Sequence, residues 1–249
     1  MPNTQSEHIV TSFSDELAET SNLIAKMGGL TEQQLSESTD AMVRRDTALA
    51  DKVIAGDAEI DDLEQQVESH VIRILALRQP MAQDLREVVA ALRIASDLER
   101  VGDLAKNMSK RTLVLNKAQP IPVIQGLGRM SRLVQMQLKL VLDAYAARNA
   151  EKALSVWRND NEIDEHCNSI FRELLTYMME DPRMIGLAAH LLFVAKNLER
   201  IGDHATNIAE TIYYLATGET ITDERPKSDM TSTTMNFDAG DLDDKKDET

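Results

Sequence analysis

A six-residue stretch, Leu98-Glu99-Arg100-Val101-Gly102-Asp103, returns one hundred residues later as Leu198-Glu199-Arg200-Ile201-Gly202-Asp203. Between 95–107 and 195–207, eight of thirteen residues are identical. The chain is therefore an internal duplication, and its fold has to be assembled from two versions of one unit. The duplication extends upstream: Asp40, Arg45, Val53, Asp57, Glu59, Ile60 and Asp61 recur 103 residues on as Asp143, Arg148, Val156, Asp160, Glu162, Ile163 and Asp164. Because the offset falls from 103 to 100 in between, the second copy has a turn three residues shorter, around Asp181-Pro182.

The unit is helical. Ten Gly, six Pro and few aromatics among abundant Ala, Leu, Glu and Arg favour helix over sheet. Ile9, Phe13, Leu17, Ile24 and Met27 are spaced for an amphipathic helix that begins near His8. Gly28-Gly29 predicts a kink or break in it, after which the pattern resumes to about Arg45. Asp46 is a good N-cap for a second helix to about Leu77, with Val53, Ile60, Val67, Val71 and Ile74 as its apolar stripe. Gln79-Pro80 ends that helix and opens a third, which runs to about Leu115. Pro120 and Pro122 mark the midpoint, and the same order restarts. The expected architecture is all-α: a three-helix bundle over 8–117, a second over 120–217, and a disordered acidic tail over 218–249.

A net charge of −15 argues against nucleic acid and against anionic membrane surfaces as partners. The single Cys167 falls on an apolar stripe and reads as packing. The N-terminus lacks the basic-then-apolar form of a signal peptide, and no apolar run approaches the length of a membrane span. The expectation is a soluble cytoplasmic protein.

The acids carry the chemistry. Glu99 with Asp103, Glu199 with Asp203, Asp57 with Asp61 and Asp160 with Asp164 are each four apart, so each pair shares one helical face. In an antiparallel hairpin, residues equidistant from the turn lie side by side. About a turn between Gln79 and Pro80, Asp61 matches Glu99 and Asp57 matches Asp103; about Asp181-Pro182, Asp164 matches Glu199 and Asp160 matches Asp203. Four carboxylates per copy converge, roughly 27 to 35 Å from the turn at 1.5 Å per residue. Glu99 and Asp57 also fall inside apolar stripes. Such a gathering requires neutralisation by protons or cations. All-oxygen donors suit Mg, Mn, Fe or Ca, with more than one ion able to share bridging carboxylates. Arg100 and Arg200 follow the glutamates but lie 100° away on the helix. Asn107 and Asn207, one turn on, are further candidate oxygen donors or packing residues, and His204 has no counterpart at Leu104.

Three readings remain open on residues alone: a metal-binding adaptor, a scaffold with solvated acids, and a carboxylate-bridged di-iron enzyme or metal-storage bundle of ferritin type. The last is disfavoured because none of the five histidines follows a Glu at the required three-residue spacing.

In Asp57-x-x-Ile60-Asp61, in Gln79-Pro80-Met81-Ala82-x-Asp84-Leu85-Arg86 and in both Leu-Glu-Arg-(Val/Ile)-Gly-Asp copies, residues 8–217 resemble the PhoU family of bacterial phosphate-signalling regulators. The resemblance implies two three-helix bundles whose acidic motifs bind multinuclear metal clusters, iron or zinc, with metal roles falling on Asp57, Asp61, Glu99, Asp103, Asp160, Asp164, Glu199 and Asp203. It also implies a non-catalytic homodimeric regulator, peripheral to a membrane complex. That regulator would restrain phosphate uptake and phosphate-starvation signalling through the phosphate ABC transporter's ATPase and a phosphate-sensing histidine kinase. The acidic tail goes beyond the family pattern.

Overall fold

The computed structural model describes residues 4–159 and 161–222, with side chains from residue 13 onward. Its described elements are all helical: α1 (Thr4–Arg44), α2 (Thr47–Arg78), α3 (Gln83–Leu115), α4 (Val123–Ala146), α5 (Ala150–Arg158), α6 (Asn161–Glu180) and α7 (Ile185–Thr217), with a short 3₁₀ turn (Pro182–Met184) before α7.

The ends of these helices follow from local chemistry. Asp46 accepts the Leu49 N–H at 3.0 Å and starts α2, as Asn149 accepts the Lys152 N–H at 2.9 Å to start α5. Gln79 stops α2 in the left-handed region at φ 48°, and α3 begins at Gln83, past the Pro80 that precedes it. Gly218, at φ 79°, closes α7 by donating its N–H to Tyr214 O at 2.8 Å.

Two expectations are corrected. First, the break expected at Gly28-Gly29 is absent: α1 runs through both glycines as one helix. The glycine serves close packing instead: a Cβ on Gly28 would sit 2.6 Å from Leu142 Cδ2 of α4. Second, the counterpart of α2 comes in two pieces, α5 and α6, separated within Asn159-Asp160-Asn161. Asn159 and Asn161, whose side chains compete for backbone hydrogen bonds, stand where the first copy has Gly56 and Ala58.

Helices α1, α3, α7 and α4 pack in a ring, each against the next; α2 lies on α1 and α3, while α5 and α6 lie on α4 and α7. Both cross-copy pairs are antiparallel. Thr39 of α1 meets Ser131 of α4, and Gly28 meets Leu142. These contacts are one contact seen twice, since 39 and 131 become 142 and 28 under the 103-residue offset. Arg86 of α3 lies beside Gly218 at the end of α7, and Arg111 lies 3.4 Å from His190 near its start. One continuous core results, running from Ile24, Leu98 and Met108 in the first copy to Leu127, Leu138 and Leu198 in the second.

Of the expected tail, residues 223–249 lie outside the described part. Residues 218–222 do not start it: Ile221 packs against the core. Cys167 is buried at 3% exposure, as its place on an apolar stripe requires.

Candidate metal centre

The repeated hexapeptide has a structural half and a chemical half. Leu98, Val101, Leu198 and Ile201 are fully buried. A Cβ on Gly102 would lie 3.1 Å from both Ile60 Cδ1 and Gln34 Oε1, and one on Gly202 would lie 3.1 Å from Ile163 Cδ1 and 3.3 Å from Gln137 Oε1. Glycine thus lets the second helix of each copy come close enough for Ile60 or Ile163 to seat on the third helix's backbone. In the first copy that approach brings Glu99 and Asp103, on either side of the glycine, near Asp57 and Asp61.

In the first copy the convergence is direct. Lys106 of α3 reaches both Asp57 Oδ2 of α2 and Asp103 Oδ1, the latter at 2.8 Å. Asp57 is 3% exposed and also accepts from Gln34 Nε2 of α1 at 3.3 Å. The same Gln34 nitrogen donates to Val53 O at 3.2 Å, while Gln34 Oε1 is buried without a hydrogen-bond partner among the described residues. Arg100 curls back, contrary to its helical bearing, to lie 3.4 Å from Glu99 Oε2 and 3.9 Å from Asp103 Oδ2.

The electrostatics register the crowding. Burial pushes the Asp61 carboxyl above its usual range; Asp57 and Asp103 push the same way and Lys106 opposes them. Glu99 is raised by burial first, with Asp103, Asp61 and Glu64 adding to the effect and Arg100 countering it. Lys106 is held firmly protonated by its hydrogen bonds to Asp103 and Asp57. Asp57, Asp61, Glu99 and Asp103 therefore share one electrostatic neighbourhood, with an ammonium lodged between two of them.

The second copy departs from this plan. Thr206 stands at the position of Lys106, donating to Gly202 O at 3.1 Å and accepting from Gln137 Nε2 at 3.3 Å. Asp164 and Glu199 are buried, at 5% and 7% exposure, and Asp203 is half-buried. Lys196, one turn before Glu199, pairs with it at 3.0 Å. Asp160, the fourth member by sequence, lies outside the described residues.

Among the described residues, no three His, Cys, Asp or Glu groups stand in an arrangement that could hold a metal ion. The donor chemistry nevertheless fits a hard cation: buried or half-buried oxygens, no thiolate, and an Asp61 and Glu99 raised first by burial and further by neighbouring carboxylates. Lys106 and Lys196 supply part of the positive charge that such a seam demands.

His204 is no ligand here: its Nδ1 meets Asp97 Oδ1 of α3 at 2.9 Å and links the copies. Asn107 is exposed. Sequence reasoning missed Gln34, Gln137, Lys106 and Lys196. The glutamines were findable, since 34 and 137 keep the 103-residue offset, and Lys106 sits one turn past Asp103.

The PhoU domain family matches residues 24–112 and again 127–212. A phosphate-specific transport system accessory protein PhoU homolog of Caulobacter vibrioides is 53% identical over 227 residues, covering 91% of this chain and 99% of that protein. One of Rhizobium meliloti is 55% identical over 227 residues, covering 91% and 96%. The crystal structure of PhoU from Pseudomonas aeruginosa superposes with a TM-score of 0.79 at 37% identity, covering 83% of this chain and all of that one. With two matched domains, and with glycine, isoleucine and paired acids repeating at the sites where the helices meet, the chain belongs to the PhoU family of phosphate-specific transport system accessory proteins.

Proposed function

We propose that this chain restrains phosphate uptake and phosphate-starvation signalling as a metal-steadied helical adaptor. Membership of the PhoU family makes it a non-catalytic accessory regulator of phosphate transport. The finer reading adds two elements. Its helical surfaces dock on the phosphate ABC transporter's ATPase and on a phosphate-sensing histidine kinase, so that it works in the cytoplasm, as a homodimer, at the edge of a membrane complex. Among the described residues no helix is long and apolar enough to cross a membrane, and attachment then runs through partners.

The second element is metal. The observation that carries it is the first copy's carboxylate seam, where Lys106 bridges Asp57 and Asp103 beside a raised Asp61 and Glu99, with the same acids repeated in the sequence of the second copy, where Thr206 stands for Lys106 and Lys196 pairs with Glu199. Asp160, Asp164, Glu199 and Asp203 would hold an ion such as Fe, Mn, Mg or Zn, neutralising charge and fixing α6 against α7. Asp57, Asp61, Glu99 and Asp103 would hold one when Lys106 swings aside. Elemental analysis of purified protein tests this: Asp164→Asn with Glu199→Gln should lower metal content, and Lys106→Met should raise it. Unchanged metal in both variants sinks the metal reading. Pull-downs from cells grown with and without phosphate test the adaptor: recovery of neither the ATPase nor the kinase in either condition sinks it.

A further inference from the structure

Where the start of α3 meets the end of α7 lies a cavity of about 470 Å³, lined by Leu85, Arg86, Val89, Arg93, Tyr214 and Ile221 among others. Its volume is that of a small-molecule site. Arg86 and Arg93 stand two helical turns apart, so both side chains leave the same face of α3. Gly218 makes room for the first of them: a Cβ there would lie 2.6 Å from Arg86 Nη1. Among the described residues neither arginine makes an ion pair, and Arg86 Nε is buried without a hydrogen-bond partner. Glu210, the acid that lines the cavity, accepts from Trp157 Nε1 at 2.9 Å. On a molecule of net charge −15, two guanidiniums thus share a wall with Leu85, Val89 and Tyr214 and with a single acid engaged by an indole.

The duplication supplies an internal reference. Because α3 and α7 run antiparallel, the 100-residue offset maps Arg93 and Thr211 at this end of their groove onto Phe193 and Arg111 at the other. There the Arg111 guanidinium lies 4.2 Å from the centre of the Phe193 ring and 3.4 Å from His190 Nδ1. The chain meets that cation with its own ring. At the first end Arg93 stands in the ring's place, Thr211 in the arginine's, and Arg86 where the second copy has Gly186, so the charge is doubled and the aromatic cover is gone.

We infer that this cavity binds a phosphate monoester with a flat apolar body, of the mononucleotide class. A phosphoryl group carries about −1.5 to −2 near neutral pH, so one such group balances both arginines, where a single carboxylate would leave one guanidinium uncompensated. The guanidinium fork also matches phosphoryl oxygens in two-point contact. Leu85 and Val89 offer the body an apolar wall and Tyr214 an aromatic neighbour. An occupant there would tie α3 of the first copy to α7 of the second. This goes beyond the metal and docking reading above and does not rest on it.

Isothermal titration of the full chain with AMP, with and without EDTA, tests the assignment. One AMP per chain should bind with a dissociation constant below about 1 mM in both conditions. Adenosine, which lacks the charge, inorganic phosphate, which lacks the body, and adenosine-5′-carboxylate, which carries a single charge, should each bind roughly tenfold more weakly or worse. Arg93→Gln, at an exposed position, should weaken AMP by roughly tenfold or more while leaving far-ultraviolet circular dichroism unchanged, and Arg86→Gln should do the same. Should the Arg86 variant unfold, the Arg93 variant decides alone. No saturation by about 10 mM AMP, affinity unchanged in Arg93→Gln, or equal affinity for adenosine overturns the proposal. Equal affinity for inorganic phosphate or for the carboxylate overturns the monoester form. Binding lost in EDTA assigns the phosphoryl group to a metal ion and overturns the pocket assignment.

Discussion

Lys106 decides how the first acidic seam behaves. Its ammonium, hydrogen-bonded to Asp57 and Asp103, sets one positive charge against two of the four carboxylates and leaves Asp61 and Glu99 raised by burial and by their neighbours. A carboxyl whose folded pKa exceeds its unfolded value favours the folded state when protonated, so its contribution is lost as pH climbs from its ordinary value through the raised one. Glu99→Gln should therefore stabilise metal-free protein at neutral pH, by on the order of 1 °C in Tm, the scale of one like-charge contact in a domain this size. The gain should shrink toward pH 4. In metal-loaded protein the same variant should instead lose stability, and calorimetry with and without chelator reads both signs. Lys106→Met leaves Asp57 buried without its cation and should cost about 3–5 kcal/mol in metal-free protein, with added metal restoring part of it. The acid pairs were legible from spacing alone because like charges one turn apart, repeated twice, have few structural excuses. Lys106 was not, because an i,i+3 ion pair is ordinary on any helix and only the burial of Asp57 gives it weight.

Among the elements, α1 shows what a sequence hides. Gly28 and Gly29 read together as a flaw in a helix, yet they have separate meanings. A Cβ at 28 runs into Leu142 and one at 29 meets nothing within 4 Å. Gly29→Ala should accordingly stabilise the protein by about 0.5–1 kcal/mol through helix propensity. Gly28→Leu should destabilise it by about 1–3 kcal/mol by overfilling the α1–α4 contact; equal effects in denaturant titrations would refute the distinction. α1 is also tied to α2 by Glu16, which accepts from Arg78 Nε and Nη2 at 3.0 Å each. The Arg78 hydrogen bond holds the Glu16 carboxyl below the usual range. Its stabilisation is thus present above the ordinary Glu value and lost as pH falls through the depressed one. Glu16→Gln should lower stability at pH 7 and narrow the difference from wild type in acid, followed by circular dichroism. The helix boundaries came through well because Asp46, Pro80 and Asp181 are local signals. The split of α5 from α6 did not, because it needs the contrast between Asn159-Asp160-Asn161 and its partner in the first copy rather than apolar period.

For the whole molecule, the duplication made the repeat unit readable but not how the two units meet. That depends on long-range matches such as Thr39 with Ser131, Asp97 with His204 and Arg111 with Phe193, whose ring centre lies 4.2 Å from the guanidinium. No periodicity encodes them. Since the copies share a core, they should unfold together. Trp157, the single tryptophan, reports on the second copy, and its fluorescence should follow the same urea curve as far-ultraviolet circular dichroism, which reports on both. Two separated transitions would mean that each unit stands alone. The antiparallel pairing of α3 with α7 has a further consequence. The Gln79–Ala82 bend, with exposed Leu77 and Met81, and the Asp181–Met184 bend, with exposed Met179 and Ile185, cap opposite extremes of rods 33 residues long, about 50 Å in extent. One molecule therefore presents its two exposed apolar bends at opposite poles, about 50 Å apart.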